Sequence, residues 1–147
     1  MLLGKPLFIK MNTIQIKSLK GFNSFSSVYT KGKKIKIEDL FSVFVFRGSK
    51  LNFKKCMDED IFYVGVGSSK RANKKAVTRN RIKRLLRVSV LQTLSESHHS
   101  YDYLKYAVFV YNKRIEQPQM IHLSDIKPLV QQIFEKVNNY NNKLINS

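Results

Sequence analysis

Two hydrophobic periods divide the chain into strands and helices. Leu40–Phe46 reads Leu-Phe-Ser-Val-Phe-Val-Phe, a β-branched and aromatic run that predicts a strand. Ile61–Ser68 predicts a second, in which Phe62, Val64 and Val66 alternate with Tyr63, Gly65 and Gly67. Two glycines on one strand face point to a close approach to the backbone there. The helical period appears first at Phe22, Phe25 and Tyr29, and Gly32 stops that short helix among Lys31, Lys33 and Lys34. Residues 72–96 form the longest helix candidate, and residues 103–111 a third strand after a turn at 98–100. Ser124-Asp125 opens a last helix with Ile126, Leu129, Val130, Ile133 and Val137 on its apolar side. Pro128, in its first turns, offers an alternative start.

The predicted order is α-β-β-α-β-α, and Lys33–Ile37 is compatible with one further short strand. This is an α/β (α+β) two-layer sandwich, helices against a small sheet. Residues 1–17 lack strong periodicity and read as an N-terminal arm. Residues 18–137 form a single domain, and residues 138–147, with five asparagines, read as a disordered tail. A polar loop covers 47–60. There is no internal repeat.

Charge narrows the function. The 147 residues carry 27 Lys plus Arg against 10 Asp plus Glu, a formal +17, while 43% of positions are hydrophobic. A domain able to fold yet so repelled from itself calls for a polyanionic partner, nucleic acid first and an anionic membrane surface second. No apolar run approaches the roughly 20 residues that span a bilayer. The first ten residues are too short and interrupted for a signal peptide, and Met11 could equally be the start. A lone cysteine, Cys56, fits a reducing cytoplasm. The adjacent His98 and His99 point apart on any regular element, and Asp58-Glu59-Asp60 sits in the polar loop, so neither suggests a metal site.

The basic residues are concentrated. Between positions 70 and 87 stand Lys70, Arg71, Lys74, Lys75, Arg79, Arg81, Lys83, Arg84 and Arg87, with no acid among them. An ordinary solvated helix face mixes signs to gain intrahelical pairs. On a helical wheel Asn80, Lys83, Arg84 and Arg87 share one face at i, i+3, i+4, i+7, and Ile82, Leu85, Leu86 and Ser89 share the other. One side is suited to docking on a sheet. The other offers guanidinium forks and ammonium charges for phosphates, and an amide for a base edge or 2′-hydroxyl.

The run Arg79-Asn80-Arg81-Ile82-Lys83-Arg84-Leu85-Leu86-Arg87, preceded by Val64-Gly65-Val66 and Ser69-Lys70-Arg71, resembles the bacterial ribonuclease P protein subunit. The likeness extends over about residues 16–140 and is sharpest over 64–87. It implies a ribosomal-protein-like sandwich with a left-handed βαβ crossover, and a protein that assists a catalytic RNA in removing the 5′ leader of precursor tRNA. By this resemblance Arg79, Arg81 and Arg84, with Lys70, Arg71, Lys74 and Lys75, contact the RNA subunit. Asn80, Lys83 and Arg87 border a leader cleft, lined also by Phe25, Tyr29 and a strand aromatic, Phe44 or its neighbour Phe46. The implied partners are ribonuclease P RNA and precursor tRNA, with neither membrane nor small-molecule substrate. Mg²⁺ is expected mainly on the RNA. Ser18, Tyr111-Asn112 and the aromatic tract 102–106 depart from the family pattern. Tyr101, Tyr103, Tyr106 and Tyr111 read as packing residues. Two competing functions share the charge: a structural rRNA-binding protein of ribosomal type, and a stand-alone metal-dependent nuclease.

Overall fold

The computed structural model describes residues 15–19, 22–46 and 61–146. Five strands form one sheet: β1 (Gln15–Ser18), β2 (Lys33–Ile37), β3 (Leu40–Phe46), β4 (Ile61–Ser68) and β5 (Leu104–Tyr111). Three helices accompany it: α1 (Phe22–Lys31), α2 (Ala76–Glu96) and α3 (Leu123–Asn146). The spatial order is β1-β4-β5-β3-β2, with β1, β4 and β5 parallel and β5, β3 and β2 antiparallel. Thus β4, α2 and β5 make a parallel βαβ unit, and β2 and β3 a hairpin. Its turn is Glu38-Asp39, with Glu38 at φ 52°, the positive value that a two-residue hairpin turn requires.

The central strands β3 and β5 are covered on both faces, which explains why, Ser42 and Lys105 apart, they are apolar instead of alternating. On one face Leu40, Phe44, Phe62, Val64, Ala107 and Phe109 meet α2 and α3. Helix α2 supplies Ile82, Leu86, Val90 and Leu94, and α3 supplies Ile126, Val130, Ile133, Phe134 and Val137. Phe134 sits 5.7 Å from both Phe44 and Phe109 and 5.1 Å from Tyr101, in the tilted and edge-on geometries aromatic rings prefer. On the reverse face Val43, Val45, Tyr106 and Val108 pack with Val28 of α1 and Leu19.

The ends of the chain differ from expectation. Gln15, Ile16 and Lys17, assigned to the arm, join Ser18 in an edge strand that pairs in register with Ile61, Phe62, Tyr63 and Val64. The asparagine-rich segment expected to be disordered continues α3 to Asn146. Its order has a physical source: Tyr140 packs edge-on against Phe46 at 5.7 Å, and Lys33 Nζ lies 4.5 Å above the Tyr140 ring. These contacts offset the low helix propensity of asparagine. Helix α3 begins at Leu123 rather than Pro128, because the His122 N–H donates to the Asp125 carboxylate at 2.9 Å. The first helix closes at Gly32, whose N–H donates to the Val28 carbonyl. A Cβ there would collide with the Val43 side chain and lie 2.7 Å from the Phe44 carbonyl oxygen.

Candidate nucleic-acid interface

Helix α2 places its cationic strip by the way it is buried. Thr78, Ile82, Leu86, Ser89, Val90, Thr93 and Leu94 face the core. That periodicity leaves Asn80, Arg84 and Arg87 exposed and Lys83 half-exposed on the opposite side, as the wheel predicts. Leu85, assigned to the apolar side, is only partly buried. Among the described residues no ion pair joins any of the nine bases of 70–87 to an acid; Arg114–Glu116 and Lys127–Glu96 pair elsewhere.

The turn leading into α2 adds to the strip. Helix α2 starts at Ala76, not 72, so residues 72–75 belong to this turn and bring Lys70, Arg71, Lys74 and Lys75 to its exposed surface. The helix has neither a side-chain cap nor an acid in its first turn, so its positive dipole end is uncompensated by the protein itself. Asn73 fixes the turn. Buried to 3% exposure, it donates from Nδ2 to the Lys113 carbonyl at 2.8 Å, and its Oδ1 accepts the Ile115 N–H at 2.8 Å. This staple holds the turn against the segment after β5, where Arg114 joins Arg71, Lys74 and Lys75 around a polar cleft of about 280 Å³.

Arg79 and Arg81 differ from the rest of the strip. Arg79 Nη1 donates to the carbonyls of Asn73 at 3.0 Å and Lys74 at 2.6 Å, and Arg81 Nε donates to the Ile121 carbonyl at 3.0 Å. Both are half-buried tethers, one to the basic turn and one to the start of α3. A guanidinium carries five N–H donors, so each keeps others for an external anion. A shallow open cleft beside Arg81 is completed by Val77, Asn80, Arg84, Pro118 and Gln119.

The aromatic candidates separate. Tyr29 is 40% exposed and its ring tilts against Phe41 at 5.3 Å, on the reverse face of the sheet. Gly65 and Gly67 share that face by register with Val108 and Val110; having no side chains, they keep the surface low beside Tyr63. Phe25 falls within α1, but its side chain is outside the described residues, as are residues 1–14, Cys56 and Asp58-Glu59-Asp60. Phe44 must be corrected. It is 1% exposed beneath α3, with Phe109 and Phe134 as neighbours, and cannot line an open cleft. Phe46, of the same parity, packs on Tyr103 and Tyr140. Strand alternation instead turns the half-buried Phe41 toward Tyr29. Sequence gave no parity signal here, since β3 is apolar on both faces.

The tyrosines of β5 and its approach are packing residues: Tyr101, Tyr106 and Tyr111 are at most 5% exposed. Burial, then the neighbouring Tyr63, pushes the Tyr106 phenol up to about 12. Burial chiefly raises Tyr101, Tyr103 and Tyr111 as well. No helix among the described residues is long and apolar enough to cross a membrane, and none of their His, Cys, Asp and Glu side chains cluster as a metal site.

A mixed sheet with two helices on one face, one of them showing an unpaired cationic strip, defines an α+β protein with a surface suited to polyanions. Residues 15–138 match the family model described as Ribonuclease P, and the chain belongs to that family. It is 36% identical over 80 residues to the ribonuclease P protein component of Pseudanabaena sp. (strain PCC 6903), covering 53% of this chain and 60% of that one. It is 41% identical over 71 residues to that of Legionella pneumophila (strain Lens), covering 48% and 54%. The matches thus span somewhat over half the length of these relatives. The fold matches the Staphylococcus aureus RNase P protein at TM-score 0.55 and 19% identity, over 82% of this chain and 94% of that one. A mutant of the S. aureus protein matches at TM-score 0.57 and 17% identity, over 92% and 97%.

Proposed function

We propose that this chain is the protein subunit of ribonuclease P, binding the catalytic RNA and the 5′ leader of precursor tRNA during 5′ maturation. The observation that carries the reading is the strip along one side of α2, with Asn80, Arg84 and Arg87 exposed and Lys83 half-exposed, without acidic partners among the described residues, inside the family-matched region. The cations of this strip and of the turn at 70–75 neutralise phosphates crowded in a folded RNA, and counterion release supplies much of the affinity. Arg84 and Arg87 present free forks. Arg79 and Arg81 hold the helix start in place while offering their remaining donors.

The leader, a single strand, suits a surface of cations and aromatics: Asn80, Lys83 and Arg87 offer polar contacts on α2, and Tyr29 and Phe41 an aromatic pair on the reverse face of the sheet. Phosphodiester hydrolysis belongs to the RNA subunit, with Mg²⁺ held on RNA oxygens. The protein contributes charge neutralisation and leader positioning.

Reconstitution tests the assignment. Purified protein with ribonuclease P RNA should remove the 5′ leader of precursor tRNA at low Mg²⁺, where RNA alone is slow, and protein alone should leave the substrate intact. Cleavage by protein alone would identify a nuclease in its own right. Absence of stimulation with any ribonuclease P RNA would leave a structural RNA-binding role.

A further inference from the structure

The structure assigns a second polyanion site, at the β2 edge of the sheet, away from the β4 edge region where α2 packs: a lysine groove between β2 and the end of α3 that grips the phosphodiester backbone of RNA without reading bases. Lys33, Lys34 and Lys36 of β2 and Lys136 and Lys143 of α3 line an open groove of about 460 Å³, with Tyr140 in its wall. Along α3 the residues Lys136, Asn139, Tyr140 and Lys143 recur at i, i+3, i+4, i+7, the same spacing that builds the strip on α2.

Edge-strand lysines have a simpler use, since they discourage pairing with another sheet edge. That accounts for Lys34 and Lys36. It does not account for Lys136 and Lys143 lining the same groove from a helix, nor for Lys33, of the same strand parity as the buried Ile35 and Ile37, lying over Tyr140; Lys34, of the opposite parity, donates from Nζ to the Thr30 carbonyl of α1 at 3.4 Å. No acid is among the described residues that line this groove. Glu135 acts on Tyr101, and Glu38 and Asp39 at the hairpin tip act on Tyr111. Among the described residues none of the five lysines is in an ion pair. Like charges lining one groove without an ion-pair partner raise the cost of folding, and a bound polyanion removes it.

Lysine defines the ligand chemistry. An ammonium is a point charge for a phosphate and lacks the planar fork used to recognise a base edge. Tyr140 has Phe46 at its side and Lys33 over its ring, so the groove offers no free platform for stacking. The ligand is therefore a backbone, read by charge. Helix α2 packs on β4 and α3 reaches β2, three strands away in the sheet. At about 4.8 Å per strand, β4 and β2 beneath the two sites are roughly 15 Å apart across the sheet, which suits separate segments of one folded RNA.

The test isolates this site by weakening the other. In full-length protein carrying Arg84→Gln and Arg87→Gln, binding to single-stranded polyuridylate is followed by fluorescence anisotropy across a salt series. Adding Lys136→Gln and Lys143→Gln should flatten the slope of log affinity against log salt by about 1.4, for two phosphates at about 0.7 each on a single strand, and raise the dissociation constant on the order of tenfold at moderate salt. Lys136→Arg with Lys143→Arg should restore both, which a folding defect would not allow. In the unsubstituted protein, RNA should protect Lys136 and Lys143 from chemical acetylation. An unchanged slope, acetylation equal with and without RNA, or tighter binding to phosphatidylserine vesicles than to polyuridylate overturns the proposal. Each of these readouts is independent of tRNA cleavage, so failure here leaves the ribonuclease P assignment standing.

Discussion

Arg79 and Arg84 lie on the same helix and carry the same charge, yet removing them should have different consequences. Arg79 ties the Asn73 and Lys74 carbonyls to the first turn of α2. Arg79→Ala should therefore cost about 1.5–3 kcal/mol of stability, the range for hydrogen bonds involving a charged group, as well as weakening RNA binding. Arg84 is exposed, and Arg84→Ala should leave stability within about 0.5 kcal/mol while lowering RNA affinity. Urea denaturation beside RNA titration separates the two effects; equal stability losses would contradict the tether. Asn73 was invisible in the sequence, because its partners at Lys113 and Ile115 lie some forty residues away. Gly32 is a third critical residue. Gly32→Ala should destabilise by about 1–3 kcal/mol through overpacking against Val43 and the Phe44 carbonyl, measurable by the same denaturation; wild-type stability would contradict the contact.

At the scale of elements, the pattern in the sequence specified more than its propensities did. Helix α2 was legible because its two faces differ so sharply: Ile82, Leu86 and Ser89 are buried and Asn80, Arg84 and Arg87 are exposed. Strand β3 was legible as a strand but not as to its facing, since Leu40, Val43, Phe44 and Val45 are all buried. That ambiguity hid the burial of Phe44, which the family resemblance implied as a cleft residue. The last turns of α3 were illegible for another reason. Their asparagines disfavour helix, and the contacts that order them, Tyr140 on Phe46 and Lys33 on Tyr140, come from distant strands. Tyr140→Ala should accordingly lower helical circular dichroism and reduce stability by about 1–2 kcal/mol, within the range for a packed aromatic pair together with a cation–π contact. An unchanged spectrum and midpoint would mean that the terminal turns stand without tertiary support.

For the whole molecule, two features set the response to solution conditions. The first is the tyrosine layer. Tyr101, Tyr103, Tyr106 and Tyr111 have phenols raised in the folded state. A raised folded value stabilises fully below the unfolded value, near 10, and that contribution is lost as pH climbs toward about 12 for Tyr106. Tyrosinate absorbance should therefore appear in two phases on alkaline titration, the second coinciding with loss of near-UV circular dichroism; a single phase preceding unfolding would contradict the burial. The second feature is the formal +17, organised into a cationic strip with its own scaffold. The most direct test of the account is the salt dependence of binding to ribonuclease P RNA for the unsubstituted protein and for the Arg84→Gln, Arg87→Gln variant. Two lost phosphate contacts should flatten the log–log slope by about 1.4 to 1.8 with the fold unchanged. An identical slope and affinity would show that the strip on α2 is not where the RNA is held.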